Sequence, residues 1–248
     1  MNPPLRVTLS KQLKRTPRLF DIARRVTRSM GEESRIYSRL RELSRTSDSV
    51  YFIQIGSNDG ISVDPIREFV VANKKWSGVF VEPVPYIFNL LKQNYSHLKG
   101  RHLRFLNVAA STGNPSAAFW KIQDKYLHEF PPFAYQIGSF DREHILKHFP
   151  SHPGLTDKIE CIHVPCKSYV EIRDAAEIPR VDVLHLDVEG FERPLVHSID
   201  FDNKKPRMIL FEISHLDTEG KRSIYELLRS RQYEIEEVGD DSIASLSS

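Results

Sequence analysis

From residue 50 onward the apolar positions fall into short runs separated by polar turns. Val50–Ile55 is rich in β-formers and ends at Gly56-Ser-Asn-Asp-Gly60. Runs of that length and composition predict buried strands rather than helices. Further strands are predicted at 78–81, at Leu103–Leu106 continuing through Asn107-Val-Ala-Ala, and at 116–122, 159–166, 181–186 and 207–213. Between several of them the apolar spacing becomes helical. A helix is expected from near Ser62, with Pro65 in its first turn and Phe69 and Val70 on one face. A second spans 85–98, with Ile87, Leu90, Leu91, Tyr95 and Leu98 facing in, and another spans 218–231. Tyr233–Val238 and 242–246 flank Gly239-Asp240-Asp241 as a closing hairpin.

Alternating strands and helices predict an α/β fold. Its sheet is mainly parallel, covered on both faces, with an antiparallel C-terminal hairpin at one edge. In such sheets ligands sit outside the carboxyl ends of the strands, where strand order reverses. The first 48 residues read as a helical extension, and 49–248 as the domain. Thr16 and Pro17 suit a helix start, and Leu19, Ile22, Ala23, Val26 and Met30 recur at one-face spacing. Ile36, Leu40 and Leu43 mark a second short helix.

Composition narrows the class. Of 248 residues, 40% are hydrophobic and 27% charged, the balance of a globular chain. No apolar run approaches the roughly 20 residues of a membrane span, and the start lacks a secretory apolar segment. Two cysteines, Cys161 and Cys166, cannot form a disulfide framework; a cytoplasmic location is expected, with both thiols in the core. The net charge of +2 hides a division. Residues 1–48 hold 12 basic against 5 acidic residues, and the remainder 23 against 28. The extension is either a basic arm or a flap packed on the domain, and its apolar residues favour the flap. With an acidic domain and no RNA-binding module, no nucleic-acid partner is expected; an oligomer is open.

The strand ends carry the candidate chemistry. Gly56 and Gly60 bracket a strand-to-helix turn in a G-x-x-x-G pattern, where backbone can approach a ligand closely. Asn58 and Asp59 offer polar atoms to an amino-acid-like group. Glu82 ends the second strand, where an acidic side chain accepts from ribose hydroxyls. Asn107 and Ala109 place an amide and a small side chain beside a flat ring. That series fits S-adenosylmethionine better than a dinucleotide. Asp187, Glu189, Glu212 and His215 stand at the later strand ends and are the candidate catalytic set. Helix capping is the alternative reading for Asp187 and, more strongly, for Glu189.

No metal is expected. Asp187, Glu189 and Glu212 are oxygen ligands suited to Mg²⁺, but at no diagnostic spacing. His144, His148 and His152 recur every four residues, yet Pro150 and Pro153 break that helix before the third. The spacing of Cys161 and Cys166 does not suit zinc. The irregular stretch 123–155, with Lys125, Tyr126, His128, Tyr135, Ser139 and Arg142, reads as an acceptor pocket or a surface insertion.

Five segments together resemble the FkbM-type S-adenosylmethionine-dependent methyltransferases: FIQIGSNDG (52–60), GVFVEPVP (78–85), LNVAAS (106–111), VDVLHLDVEGFE (181–192) and KPRMILFEISH (205–215). The resemblance covers roughly residues 48–248. It implies a class I, Rossmann-like methyltransferase fold and O-methylation of a hydroxyl on a sugar, glycan precursor or related small acceptor. An N-methyltransferase on an amine, or a cofactor-binding protein without turnover, is the alternative. Many members carry aspartate where Gln54 stands; the Gln54 carbonyl keeps the capacity to accept from the cofactor's ammonium.

Overall fold

The computed structural model describes residues 33–62 and 64–247. The helix expected after Thr16-Pro17 lies outside them. The first described element, α1 (Glu33–Thr46), buries Ile36, Leu40 and Leu43 against the domain core. Their spacing of four and three residues makes one helical stripe. Arg35 and Arg39 lie 2.8 and 3.7 Å from Glu236, exposed pairs that add little beside that apolar stripe.

Seven strands form the central sheet: β1 (Val50–Ile55), β2 (Trp76–Val81), β3 (Leu103–Leu106), β8 (Val183–Leu186), β9 (Met208–Glu212), β10 (Tyr233–Val238) and β11 (Asp241–Leu246). Their order is β10-β11-β9-β8-β1-β2-β3. All neighbours are parallel except β11, which is antiparallel to β9 and β10. The chain runs outward from β1 through β2 to β3, then returns to lay β8 on the other side of β1. Strand order therefore reverses between β1 and β8. Ile55 is in register with both Val81 and Leu186, so three strands end at one level.

Side-chain alternation explains why both faces are covered. Ile53, Ile55, Leu184, Leu186, Ile209 and Phe211 face α6 (Tyr169–Ala176), α7 (Glu192–His197) and α8 (Thr218–Ser230). Phe52, Phe80, Val183 and Leu210 face α1, α2 (Arg67–Ala72) and α3 (Pro85–Tyr95). Strands buried on both sides read as continuous apolar runs, as these do. Helix α2 begins at Arg67 and so leaves Pro65 outside it. The Asp64 carboxylate accepts from the Ile66 and Arg67 N–H groups and holds the preceding chain in a turn. Helix α3 stops at Tyr95, before Leu98.

The third strand is shorter than the sequence suggests. It ends at Leu106, because Asn107 turns its amide back to the Glu82 and Pro83 carbonyls, 2.8 and 3.0 Å away. The chain then enters a second sheet of β4 (Ala109–Ala110), β5 (Ser116–Ile122), β6 (Gly138–Ser139) and β7 (Ile159–Lys167), ordered β4-β7-β5-β6. Between β6 and β7 lie α4 (Arg142–His148) and α5 (Leu155–Lys158). Cys166 is buried, but Cys161 is exposed on β7, contrary to the core position expected for it. Strand alternation explains the difference: Cys161, His163 and Pro165 are exposed, whereas Val164 and Cys166 are buried.

Candidate functional site

One cleft lies at the switch point, between the ends of β1, β2 and β8 and the second sheet above them. Gly56, Asn58, Glu82, Asp187 and Glu189 line it from the strand ends, and Ala109 of β4 joins them. Phe119 and Gly138 of the second sheet, with Gln136 and Phe140 on either side of β6, close it from above. The irregular 123–155 stretch thus supplies part of the wall. It is tied to both turns: Tyr135 Oη donates to Asp59 at 2.9 Å, and Ser139 Oγ donates to the Glu189 carbonyl at 3.3 Å.

The turn after β1 admits only glycine at its first position. Gly56 has φ of 79°, and a Cβ there would lie 1.7 Å from the Asp187 carbonyl oxygen. The backbones of the two turns are in direct contact, which opens the groove beside them. Asn58 is also left-handed, at φ 51°, and its N–H donates to Glu82 Oε2 at 3.1 Å. Glu82 Oε1 accepts from Val84 N–H at 2.8 Å. The carboxylate is nevertheless only 5% exposed, and burial pushes its pKa up to about 7. Such a group gains from any ligand hydroxyl that donates to it.

Four residues expected at the cofactor lie outside the cleft lining: Gln54, Asp59, Gly60 and Asn107. Gln54 shares the Phe52 face of β1, as strand alternation requires, and is 1% exposed. Its Nε2 donates to Asp64 at 3.2 Å and meets His185 Nδ1 at 3.1 Å. Its Oε1 is buried without a partner. Burial raises Asp64 to about 6 and lowers His185 to about 4. The Asp59 carboxylate accepts from the Ile61 and Ser62 N–H groups, both at 2.9 Å, and so closes its own turn. Gly60 meets Leu91 and Tyr95 of α3. Asn107 supports the Glu82 turn from outside the lining.

The opposite end of the cleft is acidic and imidazole-rich. Burial, then the nearby Glu212 and Glu189 charges, lift Asp187 well above the ordinary carboxylate range. Glu189 stands at φ 53°, a strained setting for a side chain this long. Buried Glu192 supports that turn by accepting from Val188 and Gly190 N–H at 3.0 and 3.1 Å. Glu189 Oε2 lies 2.7 Å from His144 Nε2 and 3.3 Å from His215 Nε2. Burial pushes Glu189 up, but these contacts outweigh it and hold the carboxylate at about 2. His215 also lies 3.4 Å from Glu212, and hydrogen bonding to Glu189 raises its pKa. Thus Glu189, Glu212 and His215 come together beside Asp187.

Comparison with known proteins places this arrangement. The methyltransferase FkbM domain matches residues 54–235. The chain belongs to the FkbM methyltransferase family. Its parallel sheet, with the hairpin at one edge, is the Rossmann-like core of a methyltransferase. Among solved structures it resembles the METTL16 methyltransferase domain at 12% identity and TM-score 0.46, covering 86% of this chain and 66% of that one. It also resembles precorrin-6y C5,15-methyltransferase from Geobacter metallireducens GS-15 at 12% identity and TM-score 0.44, covering 87% and 86%. No curated protein matches it.

Sequence reasoning did not reach His144 or His148 as neighbours of Glu189, nor Gln136 and Phe140 as cleft walls. The pair four residues apart in His144 and His148 was the available signal. The third histidine of that series is elsewhere: helix α4 ends at His148, and His152 stacks on Phe130 at 3.8 Å between centroids. Among the described residues no helix is long and apolar enough to cross a membrane.

Proposed function

We propose that this methyltransferase uses S-adenosylmethionine to methylate a hydroxyl of a sugar or related small acceptor. The observation that carries the reading is the division of one cleft into two chemical halves. The glycine turn and buried Glu82 carboxylate suit a ribose and an amino-acid tail. The Asp187–Glu189 end suits an incoming hydroxyl.

The residues present fit an adenosyl cofactor. The absence of a Cβ at Gly56 lets the turns after β1 and β8 meet at the cleft, and Glu82 is a buried acceptor that ribose hydroxyls would satisfy. Small Ala109 beside Phe119 and Val84 forms a flat apolar wall for a ring. When bound, S-adenosylmethionine supplies the methyl group on a sulfonium. The chain's own work is alignment and proton handling. Asp187 takes the acceptor's hydroxyl proton: burial and the neighbouring Glu212 and Glu189 charges raise its pKa and make it a stronger base than an ordinary carboxylate. His215, within 3.3 Å of Glu189 and 3.4 Å of Glu212, is engaged by those carboxylates and is less suited to that role. Phe140 and Phe119 cover the cleft and limit water.

Calorimetry with S-adenosylhomocysteine tests the binding half. Micromolar affinity is expected, and Glu82→Ala should weaken it by roughly 1.5–3 kcal/mol, the cost of losing charge-assisted hydrogen bonds. No binding by the wild-type protein would overturn the reading. A screen of sugars and amines with isotopically labelled cofactor separates O- from N-methylation.

A further inference from the structure

We propose that His144, His148, Glu189 and His215 form a binding site for one divalent transition-metal ion of zinc type, on the acceptor side of the cleft. The four residues come from three separate places: helix α4, the turn after β8 and the loop after β9. One ligand atom from each lies within 4.8 Å of the others. A tetrahedral ion with bonds of about 2.0–2.2 Å needs donors about 3.4 Å apart, so this cluster closes around an ion with small side-chain shifts.

Several features fit an ion better than a chance cluster. The three imidazoles crowd together, with centroids 4.5, 4.6 and 5.4 Å apart. Glu189 Oε2 contacts both His144 and His215, so a single carboxylate oxygen answers two rings. The His148 Nδ1–H donates to the His144 carbonyl at 3.0 Å, which leaves Nε2 with a free lone pair. That is the usual way a ligating imidazole is oriented. The strained φ of Glu189 aims its carboxylate into the cluster, and Glu192 holds the turn that does so. Three imidazoles and one carboxylate suit zinc, iron, cobalt or nickel rather than Mg²⁺ or Ca²⁺, which prefer oxygen.

Glu189 also lines the cleft beside Asp187, so the ion sits where an acceptor oxygen arrives. As a fifth ligand, that oxygen would lose its proton more readily. The O–H bond breaks, the proton passes to Asp187, and the oxygen stays on the ion. This role rests on the methyl-transfer reading above; metal binding itself does not.

The test uses untagged full-length protein, stripped with chelator and dialysed against Zn²⁺. Elemental analysis should find one equivalent, and Co²⁺ should give the intense visible bands of a four- or five-coordinate site. His148→Ala and the His144→Ala/His148→Ala pair should lower Zn²⁺ affinity at least 10-fold and 100-fold, while His152→Ala changes it less than 2-fold. S-adenosylhomocysteine affinity is measured on every sample. Wild-type protein that binds this ligand but holds less than about a tenth of an equivalent of Zn²⁺ overturns the metal site alone. Zn²⁺ binding without ligand binding overturns the cofactor reading alone. A paired variant that still binds the ligand and keeps wild-type Zn²⁺ affinity also overturns the assignment. If that variant does not fold, stoichiometry and the Co²⁺ spectrum of the wild type decide.

Discussion

The two ends of the cleft are built differently. At the β1–β2 end, Gly56, Asn58 and Glu82 belong to two adjacent strand ends, and backbone N–H groups hold the key carboxylate. At the β8–β9 end, Glu189, Glu212 and His215 meet His144 and His148 from an insertion some forty residues earlier in the chain. The first end is local and held mainly by backbone. The second depends on tertiary packing of side chains from separate segments. A site of the first kind tolerates change in its surroundings, whereas the second changes whenever the insertion moves. That difference suits a common ligand at one end and a variable one at the other.

The largest expected effect breaks the acidic end without touching the other. Asp187→Asn should lower kcat about 10²–10⁴-fold, the scale of general-base loss, with S-adenosylhomocysteine affinity within about 3-fold of wild type. Stopped-time assays on the identified acceptor, with calorimetry alongside, measure both. Near-wild-type turnover would reduce Asp187 to a structural carboxylate.

Next in size is Gly56→Ala, which attacks the contact between the two ends. The added Cβ meets the Asp187 carbonyl and a left-handed backbone disfavours it. A stability loss of about 2–4 kcal/mol in urea unfolding is expected. Gly113→Ala, where a Cβ meets nothing within 4 Å, serves as the control and should stay within about 0.5 kcal/mol.

A smaller effect concerns Glu82 and pH. Its folded pKa of about 7 exceeds the ordinary 4.5, so the folded ligand-free protein keeps a proton that the unfolded chain loses. Stability from this group is full below about pH 4.5 and is lost as pH rises through 7. Glu82→Gln removes that slope. Between pH 5 and 8 the variant should gain about 2 kcal/mol relative to wild type. Asp64 and Glu192, also raised, retain their share of the same slope, and His185 opposes it below about pH 6.5. Parallel wild-type and variant curves would show that Glu82 is solvated.

How much was legible follows the same division. Val50–Ile55 and its turn announced themselves through an apolar run and two glycines, and Glu82 followed from its place after the next strand. These are local signals. Gln54 shows the limit of reading by motif position alone: strand parity puts it with Phe52, on the face away from the cleft, and that parity was available in the sequence. Asn107 ends a strand that looked continuous because its amide finds carbonyls in another turn. His144 and His148 were visible as a pair, but their partners Glu189 and His215 lie 41 and 67 positions beyond His148, joined only by the sheet order. Long-range closure of that kind leaves no periodicity to read.

The contact between Gly56 and the Asp187 carbonyl has a kinetic consequence. With no side chain between the two turns, an occupant that presses on one shifts the main chain of the other. The seat for the second ligand is then finished by the arrival of the first, which predicts ordered addition, with the adenosyl ligand leading. Product-inhibition patterns read the order directly: the demethylated cofactor should compete with the methyl donor and act noncompetitively toward the acceptor. Competition with both would mean that the two turns act independently despite their contact.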